Sequence, residues 1–388
     1  MGHKERRAYL DEIRSRYRKA HKLLKAKILD EFCNVCDYHR KHAIRLLGAP
    51  FRRIKAKLLK KRGSKSIYKK GIIIEPLTKI WLATNQMCSK KLKVALALWL
   101  PFYEAEYGKI PDEAKAKLLA ISPATIDRLL KPSKIKYKHK RLCGTKPGSL
   151  LKNQIPIRTD NWDIKRPGFC EADTVAHCGN SLSGDFVWSL TLTDIFSAWT
   201  ENRAIWGKGS GDVVDKIKDI ETKLPFELLG FDCDNGSEFL NYHLIRYFSD
   251  RPKARMIQFT RSRPYHKDDN AHVEQKNWTH VRQLFGYDRF SNKALVPLMN
   301  DAYSNECSLL HNYFCPTMKL VTKERINSKY YKKYDFPQTP YHRLLACEHI
   351  TDEAKQKLTK IYNTLNPFTL RKRIENKLRV IYKTNNLT

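Results

Sequence analysis

Acidic residues are scarce in the first two-fifths of this 388-residue chain, with 12 Asp and Glu against 38 Lys and Arg over residues 1–150. The whole chain carries 40 acids and 74 Lys and Arg, a formal net charge of +34. Solubility alone does not call for so much charge of one sign. The asymmetry points to a polyanion partner, with phosphate backbone as the first choice. Long apolar runs are also missing. The longest, Val94 to Phe102, is far short of the ~18 residues of a membrane span, so no membrane partner is expected. The stretch from Met1 to Leu10 is charged and does not read as a secretory signal. Ten cysteines are present, but they lack the paired spacings of a disulfide framework and read as reduced thiols of a cytoplasmic protein. Cys33, Cys36, His39 and His42 mimic a zinc set. If Lys25 to Leu47 is one helix, Cys33 and His42 fall on opposite faces ~13 Å apart along the axis, which excludes a single tetrahedral site.

What is present divides the chain. A hydrophobic content of 41% permits a sizeable core. Residues 1–50 read as a helix-turn-helix DNA-binding domain, with Leu23, Leu24, Ile28 and Phe32 at helical spacing and Arg40, Lys41 and Arg45 facing DNA. Residues 51–70 hold ten Lys and Arg and no acid, a basic linker. Residues 71–135 read as a second helix-turn-helix domain. Its recognition helix spans Ser122 to Leu130, with Ser122 as N-cap, Pro123 at the first helical position and Arg128 toward DNA. A second basic linker, 136–167, carries repeated Pro and Gly. Over 168–290 the pattern changes to three strands followed by alternating helix and strand, which implies a mixed sheet with helices packed on it. Residues 291–388 read as a mainly helical accessory region for DNA binding or assembly, with a basic and aromatic stretch at Lys319 to Tyr334.

Three carboxylates stand out in the central region. Asp173 lies within the strand Phe169 to Ala176, an environment that disfavours Asp. Asp232 and Asp234 share one face of the strand Leu228 to Asp234, and Asn235-Gly236 then turns the chain. Ligand sites gather at such carboxyl ends. Spacing alone leaves Asp232 and Asp234 as rivals. Glu274 lies near the start of a helix, Asp269 to Phe285, on one stripe with Asn270, Asn277, Trp278, Val281 and Phe285. Carboxylates gathered in a basic protein need an offsetting charge, and a divalent cation supplies it with a preference for oxygen.

The runs Glu-Ala-Asp-Thr-Val-Ala-His-Cys-Gly (171–179), Leu-Thr-Asp (192–194), Asp-Cys-Asp-Asn-Gly-Ser-Glu-Phe (232–239), Phe-Thr-Arg-Ser-Arg-Pro-Tyr (259–265) and Asp-Asn-Ala-His-Val-Glu-Gln-Lys-Asn (269–277) resemble the D,D,E transposases and integrases of insertion sequences and retroviruses. The likeness covers about 147–345. It implies a ribonuclease H-like core with a mixed five-stranded sheet. It also implies a catalytic, metal-binding triad of Asp173, Asp234 and Glu274, holding two Mg²⁺ or Mn²⁺ ions and supported by Asn235, Asn270 and Asn277. The chain between Asp234 and Glu274 is slightly longer than is common in integrases. Arg261, Arg263, Lys267, Lys276 and Arg282 lie beside the triad and read as phosphate contacts. His177, four residues after Asp173, reads equally as a metal or DNA contact or as local structure. The implied activity is DNA cleavage and strand transfer by a transposase working on double-stranded DNA, both terminal inverted repeats and target, as a homodimer or higher oligomer. The alternatives are a catalytically inactive DNA-binding regulator and a nuclease of the same fold that does not join strands.

Overall fold

The computed structural model describes residues 1–49, 67–68, 70–137, 164–207, 209–234, 236, 238–239, 241–252, 256–261, 271–326 and 329–386. The chain forms two compact units, Met1–Ser66 and Ile67–Thr388. Most of the two expected linkers falls outside the described residues. No described helix is long and apolar enough to cross a membrane.

The first unit is three helices, α1 (His3–Lys19), α2 (Lys22–Cys36) and α3 (Arg40–Gly48). They close on Leu10, Ile13, Ile28, Leu29, Phe32, Cys36, Ala43 and Leu47. The expected continuous helix from Lys25 to Leu47 is broken. Asp37 takes a left-handed conformation at φ 55°, which its short side chain tolerates. The expected apolar stripe also shifts by a turn. Leu23 and Leu24 are exposed, and Leu29 and Cys36 take their place. Phe32→Ala is expected to cost this unit about 3–5 kcal/mol, read from the unfolding of its own transition in denaturant.

The second unit begins with α4 (Lys70–Ala83), α5 (Ser89–Tyr107), α6 (Asp112–Ala120) and α7 (Pro123–Lys136). Ser122 caps α7 as its sequence announces, accepting from the Thr125 amide at 3.2 Å. These four helices pack on one another, and their apolar core runs on into later helices. Trp99 in α5 donates its indole N–H to the Phe314 carbonyl at 2.9 Å, and its ring meets that of Phe368 at 5.1 Å. The expected separate domain 71–135 therefore shares one apolar core with residues beyond 290.

The sheet contains β1 (Phe169–Ala176), β2 (Val187–Asp194), β3 (Thr200–Trp206), β4 (Gly230–Cys233) and β5 (Gln258–Arg261), in the order β3-β2-β1-β4-β5. β1–β2 and β2–β3 are antiparallel, while β1–β4 and β4–β5 are parallel. This is the mixed five-stranded sheet that the sequence implies. Between β3 and β4 runs α8 (Ser210–Lys223), and between β4 and β5 runs α9 (Tyr242–Ser249). After β5 come α10 (Ala271–Lys276), a π-helical stretch Asn277–Arg282 and α11 (Gln283–Phe285). Next are α12 (Leu295–Ala302), a second π stretch Tyr303–Cys307 and α13 (Ser308–Phe314).

The strand β3 lies at the sheet edge, where unpaired backbone groups invite wrong pairing. Two asparagines from the following helices occupy that edge. Asn312 accepts from the Thr200 amide at 2.9 Å and donates to its carbonyl at 3.0 Å. Asn300 does the same for Ala204, at 2.7 and 2.9 Å. The helices after 290 therefore complete the sheet rather than append to it. The rest of the chain is β6 (Leu320–Ile326), β7 (Lys329–Tyr334), α14 (Pro340–Leu345), α15 (Asp352–Thr364) and α16 (Pro367–Asn386). The basic and aromatic stretch is thus an antiparallel hairpin, which the mainly helical expectation missed. Replacing Asn300 by Ala leaves a backbone N–H and C=O without partners and is expected to lower stability by about 1–3 kcal/mol. Denaturant unfolding reads this, and an unchanged midpoint would remove the edge-capping role.

Candidate active site

The parallel register of β1 on β4 builds the site. Paired positions run from Phe169 with Gly230 to Ala172 with Cys233. One step further, Asp234, just past the end of β4, stands beside Asp173, which lies in the middle of β1. Alternation puts Glu171 and Asp232 on the same face, one pleat deeper. Those two are fully buried. Glu171 Oε2 accepts from the Val273 amide at 3.2 Å, which ties the start of α10 to β1. Asp232, the rival of Asp234, accepts from the Thr260 hydroxyl at 2.6 Å inside the sheet.

Asp173 is held from two sides. Its Oδ1 accepts from the Thr174 amide at 2.7 Å, and its Oδ2 from Asn277 Nδ2 at 2.6 Å. Burial pushes its carboxyl well above the usual carboxylate range, and Asp234, then Glu238 and Glu274, push it further. Asp234 Oδ1 accepts from the Gly236 amide at 2.9 Å. A Cβ at Gly236 would lie 2.7 Å from the Glu238 carboxyl carbon and 2.8 Å from Asp234 Oδ1. A side chain at this position would have to push the two carboxyl groups aside.

Glu238 is the functional candidate the sequence reading passed over. It is buried, and its Oε1 accepts from the Thr174 hydroxyl at 2.6 Å. The signal was present, since it ends the acidic run Asp232 to Glu238, but nothing in one dimension showed that the turn after β4 folds it back onto β1. Glu274 is exposed in α10, and its charge acts on Asp173 less than those of Asp234 and Glu238.

Other expected site residues separate. Lys276 is buried and donates to the Ala198 carbonyl at 3.1 Å. Burial pushes its amine down to about 7. That corrects its reading as a surface phosphate contact, because the helix turns it away from the acids. Arg261 ends β5 and is buried, not displayed. The Arg282 guanidinium lies 4.8 Å from the centre of the Tyr287 ring. His177 is buried, with Nε2 2.8 Å from the Ser189 hydroxyl and its ring stacked on Phe290 at 5.0 Å. Burial pushes its imidazole down to about 3, and local structure accounts for it. Arg40 pairs with Asp30, while Lys41 and Arg45 on α3 are exposed. Arg128 is exposed and reaches the Thr125 hydroxyl at 2.9 Å. Asn235, Arg263, Lys267 and Asn270 lie outside the described residues.

Among the described residues, no three His, Cys, Asp or Glu side chains stand close enough to hold a metal ion as they are. The donor set nevertheless suits a hard cation, being carboxylate oxygens that repel one another. The buried Oδ1 of Asn277, beside Asp173, also has no hydrogen-bond donor among the described residues.

Fold and site together define a mixed-sheet α/β protein with a carboxylate centre where β4 ends beside the middle of the parallel strand β1. The chain belongs to the same family as the uncharacterized protein y4rM of Sinorhizobium fredii (strain NBRC 101917 / NGR234), with which it is 35% identical over 342 residues, 86% of this chain and 93% of that protein. No protein-family model matches it. Among solved structures it is similar to the catalytic core domain of BIV integrase, at 17% identity and a TM-score of 0.31, over 47% of this chain and 96% of that one. It is also similar to the HTLV-2 integrase catalytic core domain in complex with magnesium, at 16% identity and a TM-score of 0.28, over 39% of this chain and 90% of that one.

A carboxyl whose pKa is raised on folding binds its proton more tightly in the folded chain. Its contribution to stability is therefore lost as pH rises above the unfolded value of about 4 and through the folded one. In EDTA, Asp173→Asn is expected to flatten the fall of melting temperature with rising pH. A profile parallel to that of the native chain would locate the repulsion elsewhere.

Proposed function

We propose that this protein is a D,D,E polynucleotidyl transferase, a transposase that binds the ends of its element, cuts DNA strands and joins them to target DNA. The observation that carries this is the side-by-side position of Asp173 and Asp234, two mutually repelling carboxylates on adjacent parallel strands. The family motifs point to the same pair, and the mixed sheet accords with a ribonuclease H-like core.

In this reading Asp173, Asp234 and Glu274 would hold two Mg²⁺ or Mn²⁺ ions. When bound, such ions activate the attacking oxygen and stabilise the leaving one in phosphoryl transfer. The chain's own residues orient the ligands. Asn277 and the Thr174 amide fix both oxygens of Asp173, and the Gly236 amide fixes one of Asp234. Glu238 adds negative charge behind the pair. The attacking oxygen belongs to water for cleavage and to a DNA 3′ hydroxyl for joining, so no covalent protein intermediate is needed.

DNA would be held by the exposed basic side of α3 around Lys41 and Arg45 and by α7 through Arg128. It would also be held by the β6–β7 hairpin, whose sequence from Lys319 to Tyr334 holds six Lys and Arg and one Glu. A two-stranded ribbon has the width to enter a major groove. Joining two ends to one target calls for a homodimer or larger assembly. A second reading, an inactive DNA-binding regulator, draws support from the exposure of Glu274.

Strand transfer with labelled element ends separates the readings. Asp173→Asn, Asp234→Asn and Glu274→Gln should each reduce joining by at least about a hundredfold, the scale of losing one electrostatic anchor, with DNA binding retained. Joining that persists in any of the three would sink the triad, and binding without cleavage in the native chain would favour the regulator. Lys332→Glu with Lys333→Glu should weaken binding to all DNA sequences alike and reduce the slope of log affinity against log salt by about two. An unchanged slope would take the hairpin off the phosphate backbone.

A further inference from the structure

Behind the carboxylate site a cavity of about 450 Å³ opens between the α4–α5 connection, the first π stretch and the end of α13. That volume lies in the range of small-molecule sites. Its described lining holds Lys90, Lys91, Lys276, His280 and His311 and no Asp or Glu. Lys276, His280 and His311 are buried, and the two imidazole rings lie 4.0 Å apart between centroids. Basic groups gathered out of water without an acid among them disfavour one another's charge, and an anion offsets that cost.

The rest of the lining mixes neutral polar side chains, among them Gln86, Gln275 and Gln283, with the larger apolar ones of Trp278, Met87 and Met318. Inorganic phosphate alone would leave most of the volume empty. A phosphate joined to a planar base matches both halves of the lining.

We propose that this cavity binds a single nucleotide, with its phosphate on Lys90, Lys91 and Lys276 and its base against Trp278. The nucleotide is either free or unstacked from a bound strand, and the chemistry recognised is the same. This site needs neither metal nor catalysis, so it stands apart from the transferase reading.

The test is isothermal titration calorimetry on the full chain in EDTA, with deoxyadenosine 5′-monophosphate, deoxyadenosine, deoxyribose 5-phosphate and a short single-stranded deoxyoligonucleotide as probes. The monophosphate should bind saturably at one site, at least about tenfold more tightly than either fragment. Lys91→Met should weaken it by at least about tenfold, and the surface change Lys90→Gln, which carries no folding risk, by at least about threefold. An oligonucleotide that displaces the monophosphate assigns the site to a nucleotide of a strand, and one that does not assigns it to a free nucleotide. No saturable monophosphate binding, or equal affinity in native chain and Lys90→Gln, overturns the proposal. Failure here would leave the metal-dependent reading standing, and loss of strand transfer would leave this one standing.

Discussion

The repulsion between Asp173 and Asp234 is the constraint on which the site is built. Two carboxylates at neighbouring positions of parallel strands, with Glu238 behind them, raise the cost of each other's charge. A fold that only had to be stable would place apolar or paired residues at these positions. The hydrogen bonds around Asp173 offset part of the cost, because the Thr174 amide and Asn277 both donate to its ionised form. They do not abolish it, since the carboxyl stays above its ordinary range. On the proposed function, a bound cation would offset the remainder of that cost.

Holding that arrangement requires the helix after β5 to sit at a fixed height on the sheet. It is tied to β1 at two points, through the Val273 amide on Glu171 and through Asn277 on Asp173. Four residues separate the two contacts, and between them lies Glu274. The lower half of the same helix is locked apolarly, with Val281 and Phe285 fully buried. The π stretch that begins at Asn277 is a departure from regular helix of the kind found at functional positions.

Much of this was legible in one dimension. The strands β1 and β2 were legible nearly to the residue, although burial along β2 is continuous rather than alternating. The turn after Asp234 announced itself through Asn235-Gly236. Tertiary contacts were not legible. Asn312 and Asn300 look like polar residues of an ordinary amphipathic helix, and nothing in the sequence says that they cap the edge of β3. Lys276 looked like a phosphate contact because it neighbours Glu274, yet two residues of helix turn a side chain about 200°, away from the acids. Leu23 and Leu24 matched a helical stripe but lost it to Leu29 and Cys36, since several phases fit a short apolar pattern. Glu238 needed the fold of the turn, which no spacing rule supplies.

The distribution of charge along the chain follows from the same constraint. A lysine or arginine within about 4–6 Å of Asp173 would hold it ionised by pairing with it and would occupy the position a cation must take. The charges that act most strongly on Asp173 are all acidic, and the neighbouring lysine of the helix, Lys276, is turned to the Ala198 carbonyl. Salt screens charge beyond about 8 Å in physiological solution, so basic groups kept farther away attract phosphate without collapsing onto the acids. On the proposed function, the excess of Lys and Arg in residues 1–150 belongs to sequence segments other than those that build the carboxylate pair, so attraction of phosphate and mutual repulsion of the acids are carried by different parts of the sequence.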